Sequence, residues 1–148
     1  MKLTTPAFED SGEIPERHSY IRENVNPELK ISEVPEEAES LVMIMDDPDA
    51  MEPAGKIWLH WTLWNIDPNT SKIGENEAPG TEGTTDFRET GYGGPNPPDG
   101  EHTYYFRLYA LDTELDLNEG ASRDELEESM EGKVIEETEL KGRFKPIE

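Results

Sequence analysis

Two segments rich in aromatic and β-branched residues, Ile57 to Ile66 and Thr103 to Leu111, do most to limit the folds open to this chain. In a strand, side chains alternate between faces. The first segment then puts Trp58, His60, Thr62 and Trp64 on one side and Ile57, Leu59, Trp61 and Leu63 on the other. The second puts Tyr104, Phe106, Leu108 and Ala110 opposite Tyr105, Arg107, Tyr109 and Leu111. Both faces are largely apolar, so these are expected to be central strands. Leu41-Val42-Met43-Ile44-Met45 is a shorter apolar run stopped by Asp46-Asp47-Pro48-Asp49, which predicts a buried strand delivering acids to an edge.

With 148 residues, no internal repeat and no linker, residues 1–148 are expected to form one domain. Only 32% of residues are hydrophobic, so the core must be compact, and 12 Gly and 12 Pro spread among aromatic segments read as turns. Short strands are predicted around Leu3 to Phe8, Tyr20 to Val25 and Leu29 to Val34, and a last one over Lys133 to Lys141. One helix is predicted to start at Ser122, where Ser122-Arg123-Asp124-Glu125 fits a capping box, and to end near Gly132. Leu126 and Met130, one turn apart, form its apolar stripe. Many strands and one helix imply a mostly β fold.

Asp plus Glu number 35 against 13 Lys plus Arg, a formal net charge of −22. Such a surface repels phosphate backbones and anionic leaflets, which argues against nucleic acid and membrane-surface partners. The acids lean toward Glu and lysine is scarce, as suits a saline cytoplasm in which the Debye length falls to about 3 Å at 1 M salt. A halophilic source is therefore expected, against the competing reading of an ordinary acidic protein with a basic partner. No Cys is present, which removes disulfides, thiolate nucleophiles and Cys-ligated zinc. The first residues lack the apolar stretch of a secretory signal, and no run approaches the roughly 20 apolar residues of a membrane span. The expectation is a cytoplasmic protein.

Residues 67–102 hold much Gly, Pro, Asn and Thr, and so long a connection directs the search for a site there. Two of the three histidines, His60 and His102, stand beside aromatic strand segments, close to the Asp-rich turn and this loop. A histidine in such a place is ordinarily a satisfied structural group, and Asp46-Asp47-Asp49 is ordinarily a solvated turn. The segment Gly91-Tyr92-Gly93-Gly94-Pro95-Asn96-Pro97-Pro98-Asp99-Gly100-Glu101-His102-Thr103-Tyr104 differs in kind. Its glycines permit close backbone approach and its prolines hold shape, so its amides are expected to point at a bound anion.

Asp47-Pro48-Asp49-Ala50, Trp58-Leu59-His60-Trp61, Gly91 to Pro98 and Gly100-Glu101-His102-Thr103-Tyr104, in this order and spacing, resemble the phosphatidylethanolamine-binding proteins, which include Raf kinase inhibitor proteins and bacterial and archaeal relatives. The likeness runs from about Phe8 to Phe144. It implies two packed antiparallel sheets with Greek-key topology and a few peripheral helices. It also implies a small cavity for phosphate or a phosphorylethanolamine-type headgroup, lined by Asp47, Asp49, Trp58, His60, Gly94, Pro95, His102 and Tyr104, with Tyr92 a further neighbour. Asp47 and Asp49 would repel a phosphate directly, so they are expected to hold His60 or His102 as imidazolium; a protonated Asp donating to the anion is the alternative. Three departures stand out: Met51-Glu52 precede Pro53, Thr103 replaces a common Arg, and the chain stops soon after Phe144 without the extra C-terminal helix of animal members.

The first functional reading is a non-enzymatic binding protein for a small phosphorylated or anionic ligand, with no cofactor and no metal. The second is an inhibitor or scaffold for a kinase or protease. The third is a hydrolase, metal-dependent or acid–base, using His60, His102, Asp47 and Asp49, although no metalloprotease or nucleophile motif is present. By resemblance to bacterial-type relatives, a homodimer is expected.

Overall fold

A computed structural model describes residues 1–147. Its strands are β1 (Lys2–Thr4), β2 (Gly12–Glu13), β3 (Leu29–Ser32), β4 (Ser40–Asp47), β5 (Trp58–Ile66), β6 (Lys72–Ile73), β7 (Thr81–Glu82), β8 (His102–Leu111) and β9 (Val134–Phe144). Two helices, α1 (Met51–Ala54) and α2 (Arg123–Met130), and 3-10 turns at Glu16–His18 and Pro48–Ala50 complete the regular structure. The strands form one sheet in the order β1-β3-β6 and a second in the order β2-β9-β8-β4-β5-β7. Apart from the short parallel pair β2–β9, every pairing is antiparallel. β4, β5 and β7 follow one another across the large sheet and β8 returns to lie beside β4, which is the Greek-key order.

The fold is mostly β, as the sequence implies, and its central strands are covered on both faces. Between the two sheets, Leu41, Met43, Met45, Trp61, Leu63, Tyr104, Phe106 and Leu108 of the large sheet join Leu3, Leu29, Ile31 and Ile73 of the small one in one apolar cluster. On the opposite face Val42, Ile44, Leu59 and Trp64 pack with Leu126 and Met130 of α2. Each such side chain stabilises the fold by about 1.5–3 kcal/mol when fully buried. The Ser122 capping box is present: its hydroxyl accepts from the Glu125 amide at 3.1 Å and the Glu125 carboxylate accepts from the Ser122 amide at 3.1 Å. Arg123 then ties α2 to the sheet through Asp46 at 2.9 Å, and Arg107 reaches the same carboxylate at 3.1 Å.

Several local expectations are corrected. β4 runs on through Asp46 and Asp47, which are 1% and 3% exposed and not in a solvated turn. Charged partners on each face make this possible: arginines for Asp46 and His102 for Asp47. Tyr20 to Val25 is not a strand, because the chain turns there, with the Arg22 amide donating to Ser19 and Asn24 held at φ 55°. Leu3 to Phe8 is extended only as far as Thr4, since Pro6 cannot donate to a ladder. No helix among the described residues is long and apolar enough to cross a membrane.

The strict alternation expected of Ile57 to Ile66 fails at two points. Met45 pairs with Trp61 and Asp46 with Leu59, so β5 carries one surplus residue, His60, opposite β4. Leu41 pairs with Ile66 and Met43 with Leu63, which places a second surplus residue near Asn65, itself at φ 55°. Each bulge shifts the phase of the strand by one residue. Trp61 and Leu63 therefore face the intersheet core, on the same side as His60, while Leu59, Thr62 and Trp64 face away from it.

Candidate functional site

The ends of three central strands build one cavity. β4 ends on Asp47, β8 begins on His102 and carries Tyr104 two residues on, and the first bulge of β5 turns His60 toward both. Bulges next to sites commonly re-aim a side chain in this way. The cavity has a volume of about 260 Å³, and Asp47, Trp58, His60, His102 and Tyr104 line it. Its remaining wall is Ala50, Pro53, Ala54, Phe87, Asn96, Pro97 and Pro98, so a few polar groups sit at the base of an otherwise apolar pocket.

His60 is 2% exposed and its Nδ1 donates to the Gly93 carbonyl at 2.6 Å, while its own carbonyl accepts from the Gly93 amide at 2.9 Å. A carbonyl can only accept, so Nδ1 carries the proton and Nε2 of the neutral ring keeps a lone pair. Burial pushes the ring down to about 4, against the opposing pull of the Gly93 and Gly94 carbonyls. His60 is thus a neutral group at ordinary pH, not an imidazolium.

His102 is the opposite case. Its Nδ1 lies 2.6 Å from Oδ2 of Asp47 and its Nε2 lies 2.7 Å from Oδ1 of Asp99. Two carboxylates facing both ring nitrogens call for a proton on each, which is the imidazolium. Burial acts to lower its pKa, but the hydrogen bonds and charges of Asp47 and Asp99 outweigh it and the net shift is upward. Burial likewise raises Asp47, opposed by His102. Asp47 also accepts the Asp49 amide at 2.9 Å on its other oxygen, so a carboxylate–imidazolium pair is the arrangement its partners favour.

Tyr104 stands between the two rings: His60 meets it edge-on at 5.1 Å between centroids, and His102 lies tilted to it at 6.3 Å. Burial, then the Asp47 carboxylate, raises the Tyr104 hydroxyl well above its usual range, so it keeps its proton. Phe87 packs edge-on to Trp58 at 5.7 Å and to His60 at 5.3 Å, and Tyr20 stacks on Phe87 at 4.2 Å.

Asp47, Trp58, His60, His102 and Tyr104 are thus brought together, whereas Asp49, Gly94 and Pro95 lie outside the lining. The Asp49 carboxylate accepts from the Thr103 amide at 2.8 Å and clips the start of β8. The Gly94 amide donates to Asn24 Oδ1 at 2.8 Å, and the Pro95 carbonyl accepts from the Ser19 hydroxyl at 2.8 Å and the Tyr20 amide at 3.1 Å. With the Gly93 amide on His60, the Gly93 and Gly94 amides are spent inside the protein and do not point into the cavity. Tyr92, packed on Trp61, donates its hydroxyl to the His18 carbonyl at 2.9 Å.

Phe87, Asp99 and the wall residues Ala50, Pro53, Ala54, Asn96, Pro97 and Pro98 are neighbours that the sequence reading did not assign to the site. Asp99 stands three residues before His102 in the quoted loop, a spacing that signals local contact in hindsight; Phe87 carries no such signal in a stretch without periodicity.

The model of the family described as phosphatidylethanolamine-binding protein matches residues 4–145. A UPF0098 protein of Methanothermobacter thermautotrophicus is 45% identical, over 98% of this chain and 99% of the relative. A crystal structure of a phosphatidylethanolamine-binding protein homolog from Chlamydia trachomatis superposes with a TM-score of 0.91 at 38% identity, covering 95% of this chain and 94% of that one. YbcL of E. coli, described as a new member of the mammalian PEBP family, gives 0.89 at 25% identity, covering 99% of this chain and 98% of that one. A match across nearly the whole length, on top of the shared architecture, leaves one conclusion: the chain belongs to the phosphatidylethanolamine-binding protein family.

Proposed function

We propose that the cavity binds a small oxyanion of the phosphate type, without chemistry, through the imidazolium of His102 and the hydroxyl of Tyr104. The observation that carries this reading is the carboxylate of Asp99 seated 2.7 Å from Nε2 of His102: an oxyanion from the protein itself already occupies that position. Asp47 does not oppose such a ligand head-on, because its two oxygens are engaged by His102 and the Asp49 amide. The apolar walls lower the local dielectric and strengthen a charge-assisted hydrogen bond at the base. His60 adds an acceptor at Nε2, which suits an anion that still carries a hydroxyl, such as a monoprotonated phosphate.

Calorimetric titration with sulfate, whose charge is constant from pH 5 to 9, tests the reading cleanly. Affinity is expected to hold in mildly acid solution and to fall as the pH rises past the ordinary histidine range and His102 gives up its proton, consistent with its upward shift. His102→Gln is expected to weaken sulfate and inorganic phosphate by tenfold or more, an effect of about 1.4 kcal/mol. Affinity that is flat across this range, or indifferent to His102→Gln, would rule the proposal out.

A further inference from the structure

We propose that Asp99 is a built-in competitor for the oxyanion position on His102, a latch that must leave before a ligand enters and that thereby sets how tightly an anion must bind to be held. The proposal rests on the anion-binding reading of the same cavity. Its basis is the asymmetry between the two partners of the ring. Asp47, on the Nδ1 side, has a side chain only 4% exposed and sits at the end of a central strand, so it is a fixed support. Asp99, on the Nε2 side, is 48% exposed, lies on the loop after Pro97-Pro98, and makes no other hydrogen bond among the described residues. Rotation about one side-chain bond carries its carboxylate into water and leaves the Nε2 proton facing the site.

Such a latch sets a threshold that weak ligands do not pass. A carboxylate tethered three residues from His102 is present at an effective concentration of about millimolar or more, so free monocarboxylates gain little by replacing it. A tetrahedral anion of higher charge offers oxygens to His102 and Tyr104 together, which one carboxylate oxygen cannot do, and displaces the latch. The native protein then prefers phosphate to acetate by the ratio of their intrinsic affinities, and Asp99, which lowers both alike, pushes the weaker acetate below the measurable range.

The experiment is calorimetric titration of inorganic phosphate and of acetate into wild type, Asp99→Asn and Asp99→Ala at pH 6, below the ordinary histidine value and with Asp47 still on Nδ1 of His102. If the latch is closed about 90% of the time, removing it is expected to tighten phosphate binding about tenfold. Acetate binding is expected to become measurable in both variants and to disappear again when His102→Gln is added. A gain shared by both anions and dependent on His102 is a change that a merely structural Asp99 would not produce. Should wild type bind phosphate while neither variant binds it tighter, the latch is refuted and the anion pocket stands. Should no protein of the set bind phosphate at millimolar concentration, the pocket itself is refuted and the latch with it.

Discussion

His60 and His102 carry the same side chain and touch the same tyrosine ring, yet they titrate in opposite directions. The difference lies in their partners: a backbone carbonyl and near-complete burial for one, two carboxylates for the other. Ring resonances followed by NMR are expected to show His60 neutral until the pH approaches 4, and His102 holding its proton to higher pH than a free imidazole does. A His60 that titrates near 6.5 would contradict the structure. The consequences for stability follow by linkage. His60, with its pKa lowered, contributes stability that is present above about pH 6.5 and lost as the pH falls toward 4, a loss of roughly 3 kcal/mol. His102, with its pKa raised, contributes stability that is full below about pH 6.5 and lost as the pH climbs through its folded value. Denaturant unfolding should therefore show greatest resistance near neutral, with a decline on both sides. The sequence marks both histidines as site residues but does not distinguish which of them is the charged one. The Gly93 carbonyl and Asp47 stand 33 and 55 residues away, beyond any local pattern, and only Asp99, three residues from His102, is a local partner.

Among the elements, β5 shows most clearly how far periodicity carries. β8 alternates as its sequence predicts from Tyr104 to Ala110, since its ladder with β4 is unbroken. β5 has the same kind of composition, yet two surplus residues reset its phase, and the aromatic content gives no sign of either. Asn65 is the one residue whose type favours the bulge it occupies: it tolerates a positive φ, and its amide exchanges hydrogen bonds of 2.8 and 2.7 Å with the Leu115 backbone. The Gly-Pro loop is a second case of a feature that was visible while its role was not. A methyl at Gly94 would collide with the His18 carbonyl oxygen, so this glycine serves close backbone packing, with its amide on Asn24. Gly94→Ala is expected to cost about 3 kcal/mol in urea unfolding, by overpacking against backbone that cannot yield. The displaced loop should also weaken anion binding, because Asn96, Pro97 and Pro98 wall the cavity. A Gly94→Ala protein as stable as the parent would show the packing to be looser than described.

For the molecule as a whole, the fold class, the three central strands and the capped helix were legible because each rests on a run of residues or on a local motif. The buried acids were not, since an Asp at a strand end looks the same in sequence whether arginines or water await it. The net charge of −22 sets the condition under which all of this holds together. Self-repulsion across so acidic a surface is screened by salt, so thermal stability is expected to rise from 50 mM to 2 M KCl. Equal melting temperatures at the two concentrations would show that surface repulsion contributes nothing to stability. Within that shell, the cavity owes its second imidazole to one extra residue in a nine-residue strand. Without the codon for His60, Leu59 and Trp61 would follow one another as ordinary neighbours, each still turned to the core it occupies now. The pocket we propose is, in that sense, a parenthesis in the grammar of the sheet, one that a lineage can open or close while the sentence around it still reads.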